Sequence, residues 1–210
     1  MDRNRLKLSL MLLMITLPIG LATIVFHYSD SFRSFGNTSK GTLIQPVVDI
    51  TALKLLDADG KPAYLGFEEL TANVAPKDYK PRPWQLLYFG DKTCDDACQQ
   101  RLFFLRQLHA LLSKDASRMQ RAYVLTGADE VDAATATYLK EQQIDMRVLH
   151  GDAATVTAVL KASAAADPLA SHYIYVMDPV GNIMLYFTPD DDAKAILADL
   201  KKLLSSSGLG

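Results

Sequence analysis

The stretch Gln85-Leu86-Leu87-Tyr88-Phe89-Gly90-Asp91-Lys92-Thr93-Cys94-Asp95-Asp96-Ala97-Cys98 decides the fold. The apolar run from Gln85 to Phe89 has the pattern of a strand buried on both faces. From Asp95 to Ser113, residues Leu102, Leu105, Leu108 and Leu112 fall on one helical stripe, which Phe103 and Phe104 broaden. The chain has only two cysteines, Cys94 and Cys98, and both lie where this strand gives way to this helix. A thiol at a helix N-terminus meets unsatisfied backbone N–H groups and the positive end of the macrodipole, which favour thiolate. Two thiolates on one turn can close a disulfide or hold a soft metal ion. The competing interpretation is a pair of inert buried thiols.

Working outward, strand and helix signals alternate. Leu53 to Leu56 reads as a strand followed by the turn Asp57-Ala58-Asp59-Gly60-Lys61-Pro62, with a second short strand near Ala63 to Leu65. Ala122 to Leu125 reads as a buried strand, about Asp132 to Gln142 as a helix, Met146 to Leu149 as a strand, and Asp152 to Ala164 as a helix. Tyr173 to Met177 and Ile183 to Phe187 form a hairpin across Asp178-Pro179-Val180-Gly181-Asn182, and Asp192 to Leu204 closes the chain as an amphipathic helix. Strand–helix–strand ahead of hairpin–helix, with cysteines at the top of the first strand–helix unit, predicts an α/β, thioredoxin-like fold.

The N-terminus carries a different signal. Leu8 to Phe26, LSLMLLMITLPIGLATIVF, is uncharged and apolar, and at ~1.5 Å per residue it can cross a ~30 Å hydrocarbon core. Arg3, Arg5 and Lys7 precede it, so the positive-inside rule keeps the N-terminus cytoplasmic and sends the rest outward. A cleaved secretory signal is the alternative, but the run ends in Ile24-Val25-Phe26-His27-Tyr28-Ser29 with no small-x-small site. The expected organisation is a cytoplasmic tip and transmembrane anchor over 1–28, a stalk over 29–48, the thioredoxin-like domain over 49–205 and a tail over 206–210. Outside the cytoplasm a cysteine pair can exist oxidised and needs a reductant to be opened. As a staple it is weak, since a bridge across four residues closes almost no loop entropy. Net charge is −2 with both signs interspersed, which argues against a nucleic-acid surface.

With these features in place the chain resembles the Sco/SenC family of copper-handling assembly factors for cytochrome c oxidase, from about Thr42 to Ser205. The resemblance rests on an anchor and stalk, a strand ending in Phe89-Gly90, the Cys94-x-x-x-Cys98 pair opening a helix, and the late hairpin Tyr175-x-x-Asp178-Pro179-x-Gly181. Ordinary thioredoxins space their cysteines by two residues, and here there are three. Gly41-Thr42-Leu43-Ile44-Gln45-Pro46 also looks like the stalk of small proteobacterial membrane proteins related to the family. The resemblance implies a single-pass protein of the bacterial inner membrane, its soluble domain in the periplasm. It also implies copper delivery to an oxidase subunit, or reduction of that subunit's copper-ligand cysteines.

Two departures from the family pattern matter. Where the family places prolines after the cysteines, this chain has Asp95 and Gln99. The carboxylates of Asp95 and Asp96 are expected to raise both thiol pKa values and oppose the helix dipole, giving a mildly reducing pair. The family's third copper ligand, nine residues before the hairpin proline, corresponds to Ala170, and His172 stands two residues further on. An offset of two keeps the same strand face. His172 also lies nine before Gly181, where thioredoxin-like membrane reductases place the proline facing the active pair. His172 is therefore the candidate third ligand or general base, against a strand-start histidine satisfied by backbone or water. His109 is expected to be partly buried or at the surface, His150 to end a strand, and His27 to sit at the membrane boundary.

As a copper-binding assembly protein, the chain would hold Cu(I) through Cys94 and Cys98, with His172 completing the set. As a general thiol–disulfide oxidoreductase of the periplasm, Cys94, taken as the more exposed, would attack and Cys98 would resolve. A non-catalytic assembly subunit is the third possibility. The partner is accordingly an oxidase subunit or another copper or thiol protein.

Overall fold

The structure is a computed structural model that describes residues 3–28, 39–72, 78, 80–162 and 167–207. The chain divides into two compact units, Met1–Ser39 and Lys40–Gly210.

The first unit contains helix α1, Arg3–Tyr28. Met11, Leu12, Leu13, Met14 and Ile15 are all exposed, and five successive positions cover every face of a helix. The hydroxyls of Thr16 and Thr23 donate to the carbonyls of Leu12 and Ile19, so both are satisfied within the helix. Among the described residues no helix is long and apolar enough to cross a membrane. The side chains at 8–10, 22 and 24–26 of the apolar run lie outside them, as do those of His27 and Tyr28.

The second unit is built on one six-stranded sheet. Its strands are β1 (Thr42–Asp49), β2 (Trp84–Gly90), β3 (Met119–Thr126), β4 (Met146–Gly151), β5 (Ile174–Met177) and β6 (Asn182–Phe187), in the order β1-β6-β5-β2-β3-β4. β2, β3 and β4 run parallel, whereas β5, β6 and β1 join by antiparallel pairings. Helices α2 (Phe67–Thr71), α3 (Asp96–Leu111), α4 (Ala133–Gln142), α5 (Ala153–Lys161) and α6 (Ala193–Ser206) complete the unit.

Alternation along β2 sorts the core into two layers. Leu86 and Tyr88 point into a cluster with Leu102, Leu105 and Leu108 of α3 and Ile196 and Leu200 of α6. Leu87 and Phe89 point the other way, against Val156 and Leu160 of α5 and Ile50 and Leu53. Since both faces are covered, every residue of β2 is buried, as its unbroken apolar run required. Helices α3, α4, α5 and α6 each start on an aspartate whose side chain accepts a first-turn N–H: Asp95, Asp132, Asp152 and Asp192. In the hairpin turn, Asp178 Oδ1 accepts from the amides of Val180, Gly181 and Asn182, and Gly181 sits at φ +116°, where a side chain is strained.

Several expectations are corrected. Residues 42–48, assigned to the stalk, form with Asp49 an edge strand paired with β6, and Asp199 of α6 accepts from the backbone amides of Lys40 and Gly41 just before it. Ile50–Leu53 forms a 3-10 turn in place of the start of a strand, and Leu56 makes only isolated bridges to Pro62 and His150. Ala63 to Leu65 contributes no strand, and the short helix α2 was not anticipated. The helix expected over 152–164 is described to Lys161, and Ala164 lies outside the described residues.

Candidate functional site

Cys94 ends the loop that leaves β2, and Cys98 lies in the first turn of α3. Their sulfurs form a disulfide, with the Cα atoms 5.2 Å apart. Gly90 makes the loop possible, because a Cβ there would run into the Tyr123 ring. The Tyr123 hydroxyl donates to the Asp91 carbonyl at 2.6 Å and holds the chain at the strand end.

The loop is latched to α4. The Cys94 amide donates to Thr135 Oγ1 at 2.9 Å, the Thr93 hydroxyl to Asp132 Oδ2 at 2.7 Å, and the Asp132 amide to the Lys92 carbonyl at 3.0 Å. The Thr135 N–H and the hydroxyls of Thr93 and Thr135 hold the Asp132 carboxyl below its ordinary pKa.

Asp95 and Gln99, the residues in place of the family's prolines, both work in the local geometry. Asp95 caps α3 by accepting the Cys98 N–H at 2.9 Å. The Gln99 amide donates to the Asp95 carbonyl at 2.8 Å, and its side-chain Nε2 donates to the Cys94 carbonyl at 3.0 Å. A proline at 99 could make neither bond. Asp95 and Asp96 occupy positions where a carboxylate stabilises the helix N-terminus.

Both cysteines are 4% exposed, so Cys94 is not the more accessible of the two. They lie in the same apolar cluster as Tyr88, Leu102 and Tyr123, which closes the inner side of the disulfide.

His172 does not stand on a strand face. It lies two residues before β5 with φ +49°, a left-handed conformation uncommon for a residue with a side chain. Tyr88 Oη lies 2.6 Å from its Nδ1, and the two rings meet end to end through that contact, their centroids 6.2 Å apart and their planes 20° apart. Its carbonyl accepts from Arg101 Nε at 2.9 Å. Arg101, on the buried side of α3 one turn after Cys98, also donates through Nη2 to the carbonyls of Phe187 and Thr188, at 3.1 and 2.8 Å. Burial draws the Arg101 guanidinium down to about 10, so it keeps its charge at neutral pH. Burial likewise drives the Tyr88 phenol well above its ordinary value.

Among the described residues no three or more His, Cys, Asp or Glu side chains are grouped to hold a metal ion. The structure thus joins Cys94 to Cys98 and joins His172 to Tyr88, but does not assemble the three as one donor set. His109 is structural, its Nε2 within 3.0 Å of the Ala116 carbonyl and 2.8 Å of the Met119 carbonyl. His150 is the penultimate residue of β4 and bridges to Leu56 through its backbone. It also lines a cleft of about 710 Å³ with Lys54, Asp129 and Asp152, apart from the cysteines.

Sequence reasoning did not single out Tyr88, Arg101 or Thr135. One signal was readable: Arg101 is a charge on the stripe of Cys98, Leu102, Leu105 and Leu108, where burial demands compensating acceptors.

The sheet order and the cysteine turn at the end of β2 define a thioredoxin-like domain. Residues 84–207 match the family described as transmembrane-like, thioredoxin-like, C-terminal domain, and the chain belongs to it. Among solved structures, yeast Sco1 is similar at TM-score 0.54 and 19% identity, over 80% of this chain and 97% of that one. Yeast Sco1 with copper bound gives TM-score 0.52 at 19% identity over 80% and 94%. Arabidopsis thaliana ScoI with copper bound gives 0.51 at 17% identity over 80% and 99%. These structures bear out the Sco/SenC resemblance at the level of the fold. No curated protein matches the chain in sequence.

Proposed function

We propose that the protein is a membrane-tethered thioredoxin-like factor whose Cys94–Cys98 pair is its working group. It assists cytochrome c oxidase assembly by carrying copper to an oxidase subunit or by reducing that subunit's thiols. The observation that carries this reading is the disulfide itself, placed between a strand end and a helix N-terminus and latched there by Thr135, Asp95 and Gln99. As a structural staple such a short bridge contributes little.

Opening the pair takes two electrons and two protons and converts the disulfide to two thiols; a dithiol protein is the class of donor that supplies them. Copper enters as cargo. A disulfide has no thiolate to offer, so the oxidised pair does not hold Cu(I). The reduced pair supplies two soft ligands suited to Cu(I). His172 is not grouped with the two cysteines among the described residues, and with Nδ1 engaged by Tyr88 only its Nε2 could serve as a third donor. The copper-bound relatives in yeast and Arabidopsis support the cargo reading. The absence of a preformed three-residue donor set among the described residues favours thiol exchange as the second reading. In that case one of the two cysteines attacks a partner disulfide and the other resolves it; their equal burial does not favour either as the attacker.

The apolar faces of α1 and the basic residues before them support its reading as an anchor in the bacterial inner membrane, N-terminus cytoplasmic and domain periplasmic. Anaerobic Cu(I) titration of the reduced protein, against a competing chelator, tests the cargo reading. Tight one-to-one binding supports it. No binding by fully reduced wild type removes it and leaves thiol exchange.

A further inference from the structure

We infer that α4 sets the redox poise of the cysteine pair. Thr135 and Tyr138, one turn apart on that helix, hold the loop of Cys94 and the helix turn of Cys98 in register, so the two sulfurs stay neighbours when the disulfide is opened. Both are positioning residues in this account, which rests on the reading of Cys94 and Cys98 as the working group.

The contacts close a ring that never passes through sulfur. The Cys94 amide donates to Thr135 Oγ1 at 2.9 Å. Three residues along the same face of α4, the Tyr138 hydroxyl donates to the Gln99 carbonyl at 3.0 Å. Gln99 follows Cys98 in the first turn of α3, and its side-chain Nε2 returns to the Cys94 carbonyl at 3.0 Å. The Cys94 backbone is thus engaged on both sides, its N–H by α4 and its C=O by α3. The ring is in turn fastened to the sheet. Gln143 Nε2 donates to Tyr138 Oη at 3.1 Å, and Arg121 Nη1 donates to Gln143 Oε1 at 2.7 Å. Arg121 lies in β3 opposite Leu86 of β2, and both Arg121 and Gln143 are buried, so water does not compete for this fastening.

Reduction adds two electrons and two protons, breaks the S–S bond and leaves two thiols. In a loop held by its disulfide alone, that break frees the backbone of Cys94, and the freedom gained favours the dithiol. Here the ring survives the break, so little freedom is gained and the thiols remain placed to close again. The disulfide is favoured, and the opened pair is correspondingly reducing. Loss of Thr135 Oγ1 would act in the same direction. The intact bridge would keep the orphaned Cys94 amide buried and unpaired, whereas the opened loop can shift to satisfy it. A helix packed here for stability alone would stabilise both redox states equally and leave their balance unchanged.

The test uses the full-length protein in detergent micelles, equilibrated without oxygen against mixtures of reduced and oxidised dithiothreitol. The dithiol gives up the two electrons and two protons and closes to its own disulfide. Acid quenching and thiol labelling read the fraction of protein reduced. Tyr138→Phe and Thr135→Val should each move the midpoint toward the protein dithiol by about 3- to 30-fold in the reductant ratio, a tenfold change being about 30 mV. Thr135→Ser, which keeps the oxygen, should restore the wild-type midpoint. Hydrogen exchange at the Cys94 amide should stay slow in the reduced wild type, because the bond to Thr135 persists. An unchanged midpoint in either Tyr138→Phe or Thr135→Val would overturn the inference and leave the working-group reading standing. So would fast exchange at Cys94 once the wild type is reduced, a result that needs no variant to fold. A wild-type disulfide that no dithiol opens without denaturant would sink the working-group reading itself, and this inference with it.

Discussion

At the residue scale the site is defined by what each side chain takes from the backbone around the disulfide. Thr135 fixes Cys94, Asp95 fixes Cys98, and Gln99 ties the Cys94 carbonyl back to α3, so the loop is held whether or not the sulfurs are bonded. Cys94→Ala or Cys98→Ala should therefore leave the fold intact and abolish tight Cu(I) binding, because each removes one of the chain's only two thiolates. His172→Ala should affect Cu(I) less and Cu(II) more, imidazole being the harder donor. Chelator competition with both copper states checks this, and equal loss in all three variants would contradict it. At 4% exposure each, the cysteines should label with a thiol reagent natively only after mild reduction. Labelling that requires denaturant would make them inert core residues.

At the element scale, α4 is anchored to the cysteine loop by Asp132. Its folded pKa is depressed, chiefly by the Thr135 N–H and then by the Thr93 hydroxyl. A depressed carboxyl contributes stability that is present above its unfolded value and lost as pH falls through the folded one. Asp132→Ala should thus be less stable than wild type at pH 7, with the difference shrinking as pH falls below the ordinary carboxylate range. Denaturant titrations at pH 7 and pH 3 measure it, and a pH-independent gap would show that the carboxyl's charge is not what matters. The other end of the unit depends on Asp199, buried at 6% exposure and accepting from the amides of Lys40 and Gly41. Asp199→Ala leaves those amides short of an acceptor at the entry to β1 and should cost about 1–3 kcal/mol. Hydrogen exchange should rise at β1 before it rises in β2.

At the scale of the whole molecule, the described contacts place a self-contained unit from Lys40 onward. A fragment beginning at residue 39 should be soluble and cooperatively folded, since the two core layers lie within it. A fragment beginning at residue 50 loses β1 and with it Ile44 and Val48 of the outer layer, and exposes the edge of β6. It should aggregate or unfold at lower temperature, as circular dichroism and light scattering would show. Equal stability of the two fragments would mean that β1 is only an accessory strand.

Much of this was legible in the residues because it is local. The unbroken apolar run of β2, the leucine stripe of α3 and the Asp178–Asn182 turn are each specified within a few positions. A period-two or 3.6-residue pattern is enough to read them. The Cys94–Cys98 pairing was legible as one of several outcomes, since four residues of spacing permit either a disulfide or a shared metal. Tertiary structure alone decided the rest. β1 carries Gln45 and Pro46 in its middle and pairs with a strand some 140 residues later (Thr42 opposite Tyr186), so its sequence reads as a linker until β6 supplies its hydrogen-bond partners. His172 was legible as a candidate by counting from the hairpin. Its left-handed backbone and its grip by Tyr88 and Arg101 arise only when β2 and α3 close against the start of β5. The cause in each case is the same: hydrogen bonds between distant elements leave no periodic trace in the chain, and only the folded packing brings donor and acceptor together.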